Sequence, residues 1–399
     1  MIDQLLKSEV QKFIQEHEYD DPVALALQGH KFLGIPIKEA IQQIKSRQTA
    51  RIKLPEWHSK PGIIFPPTLS MEQCSSELTA KFKSALVSGE TLVDLTGGTG
   101  IDTFYMGQSF KRALFVERDP ALCKIADHNF SILGADHIKV LSKHAAQFLQ
   151  EDSPQVDWIY IDPARRDDHH GKVFKLSDCV PDVLELKEIF FKHSDNVLIK
   201  TSPMLDIKQA ISQLEYVKKV FVVSVKNDCK EVLYMLKKNA TSEPEIVTVN
   251  LLGEQRKQQF SFYRAAESGF QIALSAPLSF IYEPNASILK ARGFNAIADA
   301  FQVNKLNINS HLYTSQKLIE DFPGRIFKCT HITRLDKKEI IKFIPEKKAN
   351  VTTRNFPYSV KEIRKKTGLK DGGNTYLFAT KGPDEKPVIL VCEKVGFSS

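Results

Sequence analysis

At 399 residues with a formal net charge of +7, the chain exceeds the ~100–200 residues of one ordinary domain, and its 42% hydrophobic and 26% charged residues exclude a largely disordered polypeptide. No run approaches the ~18 apolar residues a membrane span needs, the first residues lack a signal-peptide pattern, and six cysteines without a CxxC pair exclude a zinc ribbon and a disulfide scaffold, so a cytoplasmic protein with reduced thiols is expected. The charge is uneven: Phe322–Ser399 holds 17 Lys and Arg against 8 Asp and Glu, while the rest holds 38 against 40, so the basic end is either a module facing an anion, nucleic acid first, or a solvated surface.

Leu5, Leu6, Val10, Phe13 and Ile14, then Ile37, Ala40, Ile41 and Ile44, recur at helical spacing and predict helices over the first 60 residues. A Pro-bearing stretch leads to a further helix over 75–86. From Thr91 short apolar strands (91–95, 113–117, 137–141, 156–162, 196–200) alternate with helical stretches such as 120–133 and 180–191, the pattern of a parallel sheet with helices on both faces. Segments 217–225 and 231–236 flank Asn227-Asp228 and read as a hairpin, which makes the last strand antiparallel. Two more strand-like runs, EIVTVNLL and QFSFY, end this region near residue 265. Residues 276–321 contain one helix, 286–301, opened by Glu283-Pro284-Asn285. After Pro323-Gly324 a third module begins with IFKCTHI and carries a strand-like YLFAT near its end.

The most informative stretch is VDLTGGTGIDTFYMG (93–107). A strand ends at Asp94-Leu95, a turn follows with Gly97, Gly98 and Gly100, and a helix starts near Asp102; backbone amides and the helix N-terminus there suit a ligand. A phosphate-binding P-loop needs Gly-Lys-Ser/Thr where this loop has Gly100-Ile101-Asp102, and a dinucleotide GxGxxG is broken by Thr103, with Asp102 set against any pyrophosphate. The ligand left is zwitterionic and carries an amino group, S-adenosylmethionine. Glu117 ends the second strand, where an acid can bind both ribose hydroxyls, a contact NAD also uses. The third strand ends in Ser142-Lys143-His144-Ala145, where small residues hold an adenine; His144 either bonds the adenine edge or lies on the surface. The fourth ends in Asp162-Pro163-Ala164-Arg165-Arg166. Ligands bind outside the carboxyl ends of such strands, so Asp162 can accept a hydrogen bond from an exocyclic amine or take its proton, or else it simply caps a helix.

The ordered set DLTGGTG, VERDP and YIDPARRD resembles class I S-adenosylmethionine-dependent methyltransferases, most of all bacterial ones with a THUMP-like C-terminal module. MEQCSSELTAKFK (71–83) resembles their pre-strand segment, YEPNASILKARGF (282–294) their small ferredoxin-like domain, and FPGRIFKC with 350–380 their THUMP-like end. The resemblance implies an α/β fold: a doubly wound, Rossmann-like seven-stranded sheet with an antiparallel last strand, an N-terminal helical region (1–70), a methyltransferase domain (71–275), a ferredoxin-like domain (276–321) and a small α+β THUMP-like basic domain (322–399). It assigns Thr96, Gly97, Gly98 and Gly100 to the cofactor loop, Glu117 to ribose, Ala145 to adenine, and Asp162 with Pro163 and Arg165 to the catalytic motif. The sequence departs from amino-methyltransferases at Arg165, where an aromatic usually stacks on the target base; a guanidinium there stacks on a base or clamps a phosphate. Carbon methylation of a pyrimidine needs a nucleophilic cysteine, and the fifth strand ends in Lys200-Thr201-Ser202-Pro203 without one.

Arg354, Lys361, Arg364, Lys365, Lys366 and Lys370 cluster with Phe356 and Tyr358, a mix suited to phosphate contact and base stacking. With the resemblance this implies tRNA or rRNA as substrate, held by Arg165, Arg166, Arg354, Arg364, Lys365 and Lys366. The expected function is methylation of an RNA-base nitrogen, with no metal and no membrane partner; Asp167-Asp168-His169-His170 reads as a loop and not a metal site. The alternatives are a protein or small-molecule methyltransferase, or a non-catalytic RNA-binding protein that keeps the cofactor fold.

Overall fold

The computed structural model describes residues 2–151, 153–165 and 175–396, Arg165 by its backbone. Two compact units result, Met1–Lys218 with Glu231–Ser242 and Lys219–Lys230 with Glu243–Ser399.

The first unit is built on β1 (Gly89–Asp94), β2 (Phe110–Glu117), β3 (Ile138–Ser142), β4 (Trp158–Ile161), the two-residue pair β5 (Ala164–Arg165) and β6 (Cys179–Val180), and β7 (Asn196–Thr201). The hairpin region supplies β8 (Val217–Val225) and β9 (Asp228–Lys237), with Lys226 and Asn227 at positive φ turning the chain between them. Within the unit the order is β9-β7-β4-β1-β2-β3. All neighbours are parallel except β9, which runs antiparallel to β7 as expected. Leu92-Val93, Ile159–Ile161 and Val197–Ile199 are buried as continuous runs, the signature of strands covered on both faces. Asp119, Asp182 and Asp206 accept backbone N–H groups at the starts of the crossover helices Pro120–Ile132, Val183–His193 and Ile207–Leu214. Strand order reverses between β1 and β4, which opens a crevice at their carboxyl ends.

The N-terminal helices, of which Ile37–Lys53 is the longest, share this unit's core. Val10, Phe13, Ile14, Ile41 and Ile44 pack with Ile64 and with Ile125 of the first crossover helix. Asn129 donates to the Ile64 carbonyl (2.8 Å) and accepts its N–H (3.0 Å).

In the second unit β8 pairs in parallel with β10 (Glu245–Leu251), which pairs antiparallel with β11 (Lys257–Tyr263). β10 and β11 are the two further strand-like runs, EIVTVNLL and QFSFY, expected before residue 265. A separate seven-stranded sheet comprises β12 (Phe280–Pro284), β13 (Asn304–Lys305), β14 (Tyr313–Ser315), β15 (Gly324–Thr333), β16 (Asn350–Thr353), β17 (Thr375–Lys381) and β18 (Pro387–Lys394), in the order β13-β14-β12-β15-β18-β17-β16. The antiparallel β12–β15 ladder therefore joins the segments read as two domains, 276–321 and 322–399, in one sheet. The single helix expected over 286–301 is two, Ala286–Ala291 and Phe294–Ala300. Arg292 breaks it at φ 61°, and Gly293 lies so near Phe262 that a Cβ would stand 2.6 Å from the ring.

Candidate active site

The cleft of about 500 Å³ at the switch point is lined by the loop after β1, the ends of β2, β4 and β7, and Ser70, Gln73, Cys74 and Ser75 from the preceding segment. Its floor is the glycine loop. Gly97 is packed so tightly under β2 that a Cβ would stand 2.3 Å from Phe115, and Gly100 combines φ +83° with a would-be Cβ 2.9 Å from Phe130. Only glycine fits either place. Glu117, ending β2, accepts the Gly98 N–H on one carboxylate oxygen and the Asp119 N–H on the other, both at 2.9 Å. Two backbone donors thus orient the acid before any ligand arrives. Thr96 ties the loop to the fourth strand: its Oγ1 accepts the Asp162 N–H at 2.6 Å, and its own N–H donates to Asp94 at 3.0 Å. Ala145 is buried at the start of the helix Ala145–Glu151 and lines the cleft beside His144.

The site's ionised groups form a chain from the interior to the cleft. Buried Lys83 bonds Glu231 of β9 (2.9 Å) and the Ser75 hydroxyl (3.1 Å), and stands 3.2 Å from Asp102. Asp102 also accepts from the Ser75 hydroxyl (2.8 Å) and the Tyr160 hydroxyl (2.7 Å). Lys200, ending β7, lies 3.8 Å from Asp102 and donates to Asp162. Burial opposes ionisation of Asp102, but Lys83 and Lys200 outweigh it and hold the carboxyl below its usual range. Burial likewise opposes charge on Lys200, yet Asp162 and Asp102 push it above the usual lysine range. Glu231 goes the other way, raised by burial against the pull of Lys83. Asp94, fully buried, is pushed up to about 7 by desolvation, although the Thr103 hydroxyl (2.5 Å) and the Thr96 amide oppose it.

Thr96, Gly97, Gly98, Glu117, Ala145 and Asp162 meet at this one cleft, with Gly100 closing the loop beneath it. Pro163 is buried, and Arg165 pairs through its backbone with Cys179. Arg166 and the Asp167–His170 stretch lie outside the described residues. Among the described residues no group of three or more His, Cys, Asp or Glu is arranged to hold a metal, and no helix is long and apolar enough to cross a membrane. Sequence reasoning missed Lys83, Ser75, Tyr160, Glu231 and the part played by Lys200. The signal for Lys200 was a lysine closing an otherwise apolar strand, NVLIK.

In the second unit the basic segment folds as the helix Val360–Thr367, opened by a Ser359–Glu362 capping box and closed by Gly368 at φ 77°. Lys361, Lys365 and Lys366 are exposed on it, Lys366 lying 4.5 Å over the Tyr358 ring. Two of the expected substrate-binding arginines are paired within the protein: Arg354 donates to buried Glu283 (2.9 Å), which also takes Arg325, and Arg364 donates to Asp371.

The ferredoxin-like domain family matches residues 280–323 and the THUMP domain-like family residues 324–394. The solved "putative methyltransferase from Porphyromonas gingivalis W83" is 30% identical, with 97% of this chain and 98% of that one covered at a TM-score of 0.87. Local likenesses include M. capricolum TrmK with S-adenosyl-homocysteine (16% identity, 43% of this chain and 71% of that one, TM-score 0.33). A rRNA methylase from Streptococcus thermophilus is 15% identical over 40% of this chain and 94% of that one, TM-score 0.30. No curated protein matches the chain.

Proposed function

The chain belongs to the class I methyltransferases that carry ferredoxin-like and THUMP-like domains at the C-terminal end, and from that premise we propose that it moves a methyl group from S-adenosylmethionine to a nitrogen of a base in structured RNA, tRNA or rRNA. The convergence of the glycine loop, Glu117 and Asp162 on one cleft carries this reading.

The residues present fit the cofactor. A cleft of about 500 Å³ lies within the ~300–1,000 Å³ of small-ligand sites. Thr96, Gly97, Gly98 and Gly100 form a floor without side-chain obstruction, and Glu117 is held with both oxygens turned by backbone amides and lone pairs left for ribose hydroxyls. Ala145 would border the adenine. When bound, the cofactor supplies an electrophilic methyl on a cationic sulfonium. Asp162 accepts a hydrogen bond from the target nitrogen and aims its lone pair, and buried Pro163 stiffens the backbone beside it. Rate enhancement then comes from alignment and exclusion of water. Arg165 and Arg166 would hold the base or its phosphate, while exposed Lys365 and Lys366 would present the THUMP-like domain to the RNA backbone, and Arg354 and Arg364 would join them only by exchanging Glu283 and Asp371 for phosphate.

We read the chain as four working parts: residues 1–70 bracing the cofactor unit, 71–275 binding cofactor and acceptor, 276–321 and 322–399 receiving RNA. The test is transfer of tritiated methyl from S-adenosylmethionine to RNA and, separately, to protein extracted from a strain lacking the gene. Label entering nuclease-sensitive RNA supports the reading, and label entering only protein replaces RNA with a protein substrate.

A further inference from the structure

Lys200 and Asp162 form an ion pair at the mouth of the cleft, and its geometry differs from that of the other buried charges. Lys83 is enclosed, with Ser75, Glu231 and Asp102 around it. Asp102 is already supplied by the Ser75 and Tyr160 hydroxyls and by Lys83. At 3.8 Å from Asp102, Lys200 is beyond hydrogen-bond reach of it and donates instead to Asp162 Oδ2. The Lys200 side chain is 11% exposed and the Asp162 side chain 35% exposed, so a desolvated ammonium is directed at a carboxylate that faces the cleft.

Stability does not account for this arrangement. A buried ion pair contributes little over apolar residues of similar volume, and Lys200 follows Val197, Leu198 and Ile199 on a strand where another apolar side chain would pack. What the pair does is fix the reactive carboxylate. The Asp162 N–H is pinned to Thr96 of the glycine loop, and its Oδ2 is pinned to Lys200. With main chain and one oxygen held, Oδ1 is the atom left to accept from an acceptor nitrogen, and no donor among the described residues occupies it.

We propose that Lys200 is a positioning residue for methyl transfer: from the wall of the cleft it holds Asp162 turned so that one oxygen meets the target nitrogen. This rests on the methyltransferase reading above. Lys200 is faced by Asp162 from the end of β4, Asp102 from the helix after the glycine loop and Glu231 from β9, three carboxyls on three elements.

The experiment compares wild type, Lys200→Met, Lys200→Arg, Asp162→Asn and the Lys200→Met/Asp162→Asn double variant. Two quantities are read: tritiated-methyl transfer to total RNA from a strain lacking the gene, and calorimetric affinity for S-adenosylhomocysteine. Lys200→Met should lose about 100-fold in rate, with S-adenosylhomocysteine affinity within about threefold of wild type. Lys200→Arg, which keeps a cation within reach of Asp162, should recover most of the rate. The double variant should be no slower than Asp162→Asn, because the lysine acts through the aspartate. Should Lys200→Met fail to bind S-adenosylhomocysteine for want of folding, as judged by circular dichroism, Lys200→Gln takes its place with the same expectations. A Lys200→Met or Lys200→Gln enzyme of wild-type rate overturns the proposal, as does strict additivity with Asp162→Asn, or a folded variant whose fall in rate is matched by an equal fall in S-adenosylhomocysteine affinity. Wild type that labels no RNA overturns the RNA reading itself and this proposal with it, an outcome told apart from the others by the wild-type sample alone.

Discussion

Gly97→Ala tests the floor of the cleft directly. The added methyl would stand 2.3, 2.4 and 2.6 Å from three Phe115 ring atoms, against the ~3.5–4.0 Å of carbon–carbon contact. Phe115 has no room to yield. It is fully buried on β2 and packs edge-on against Phe130 at 5.7 Å, and Phe130 in turn is close against Gly100. Overpacking of this kind costs about 1–3 kcal/mol, and relief by moving the loop would drag the Gly98 N–H off Glu117. Urea unfolding should therefore show a midpoint shift equivalent to about 2 kcal/mol of destabilisation, and calorimetry an S-adenosylhomocysteine affinity reduced at least tenfold, which corresponds to ~1.4 kcal/mol of binding free energy. Phe115→Leu in the Gly97→Ala background should return part of the stability, since the two residues share one space. Wild-type stability and affinity in Gly97→Ala, or strictly additive effects in the double variant, would refute the packing argument.

Three further outcomes follow from the geometry. Glu117→Gln sets an amide NH₂ against one of the two backbone N–H groups that now meet a carboxylate, so S-adenosylhomocysteine binding should weaken about 10–100-fold, the ~1.5–3 kcal/mol of hydrogen bonds to a charged group; unchanged affinity in calorimetry would remove Glu117 from the ribose role. Asp94 ionises at about 7 in the folded chain against 3.8 ordinarily. The unfolded chain thus loses its proton first, and stability falls as pH rises from about 4 to about 7, by up to ~4 kcal/mol. Asp94→Asn should flatten urea midpoints over that window, and parallel curves for the two proteins would contradict the assignment. Lys365→Glu with Lys366→Glu in the full chain should weaken binding of total tRNA and lower the slope of log affinity against log salt by about one for each phosphate no longer neutralised; an unchanged slope places the RNA-binding surface elsewhere.

Much of this architecture was legible in the sequence because it is written in local pattern. The strands β1, β2, β3, β4 and β7 announced themselves as apolar runs ending in polar residues, and the glycine loop by three glycines after Asp94. The antiparallel β9 followed from a hairpin with Asn227 in its turn. What escaped was set by tertiary packing. The break at Arg292-Gly293 depends on Phe262, about 30 residues earlier in the chain, and no helical periodicity registers it. The short strands β13 and β14 have too few residues to show alternation. The β12–β15 ladder, which merges the ferredoxin-like and THUMP-like segments in one sheet, is a pairing across 40 residues and more. At the site, Glu117 and Asp162 were found because each ends a strand in an open parallel sheet. Lys83, Ser75 and Glu231 were not, because their meeting requires a helix preceding β1 to face a strand almost 150 residues later. Arg354 and Arg364 were read, with their basic and aromatic neighbours, as suited to phosphate contact; their partners Glu283 and Asp371 are visible only in the fold.

Methylation of an RNA base is read directly by nucleoside mass spectrometry of total tRNA and rRNA from a strain lacking the gene and from its parent, before and after incubation with purified protein and S-adenosylmethionine. One nitrogen-methylated nucleoside should be missing from the deletion strain, be restored by wild-type protein and not be restored by Asp162→Ala. Identical nucleoside profiles in the two strains, with no methylated nucleoside gained on incubation, would contradict the RNA reading.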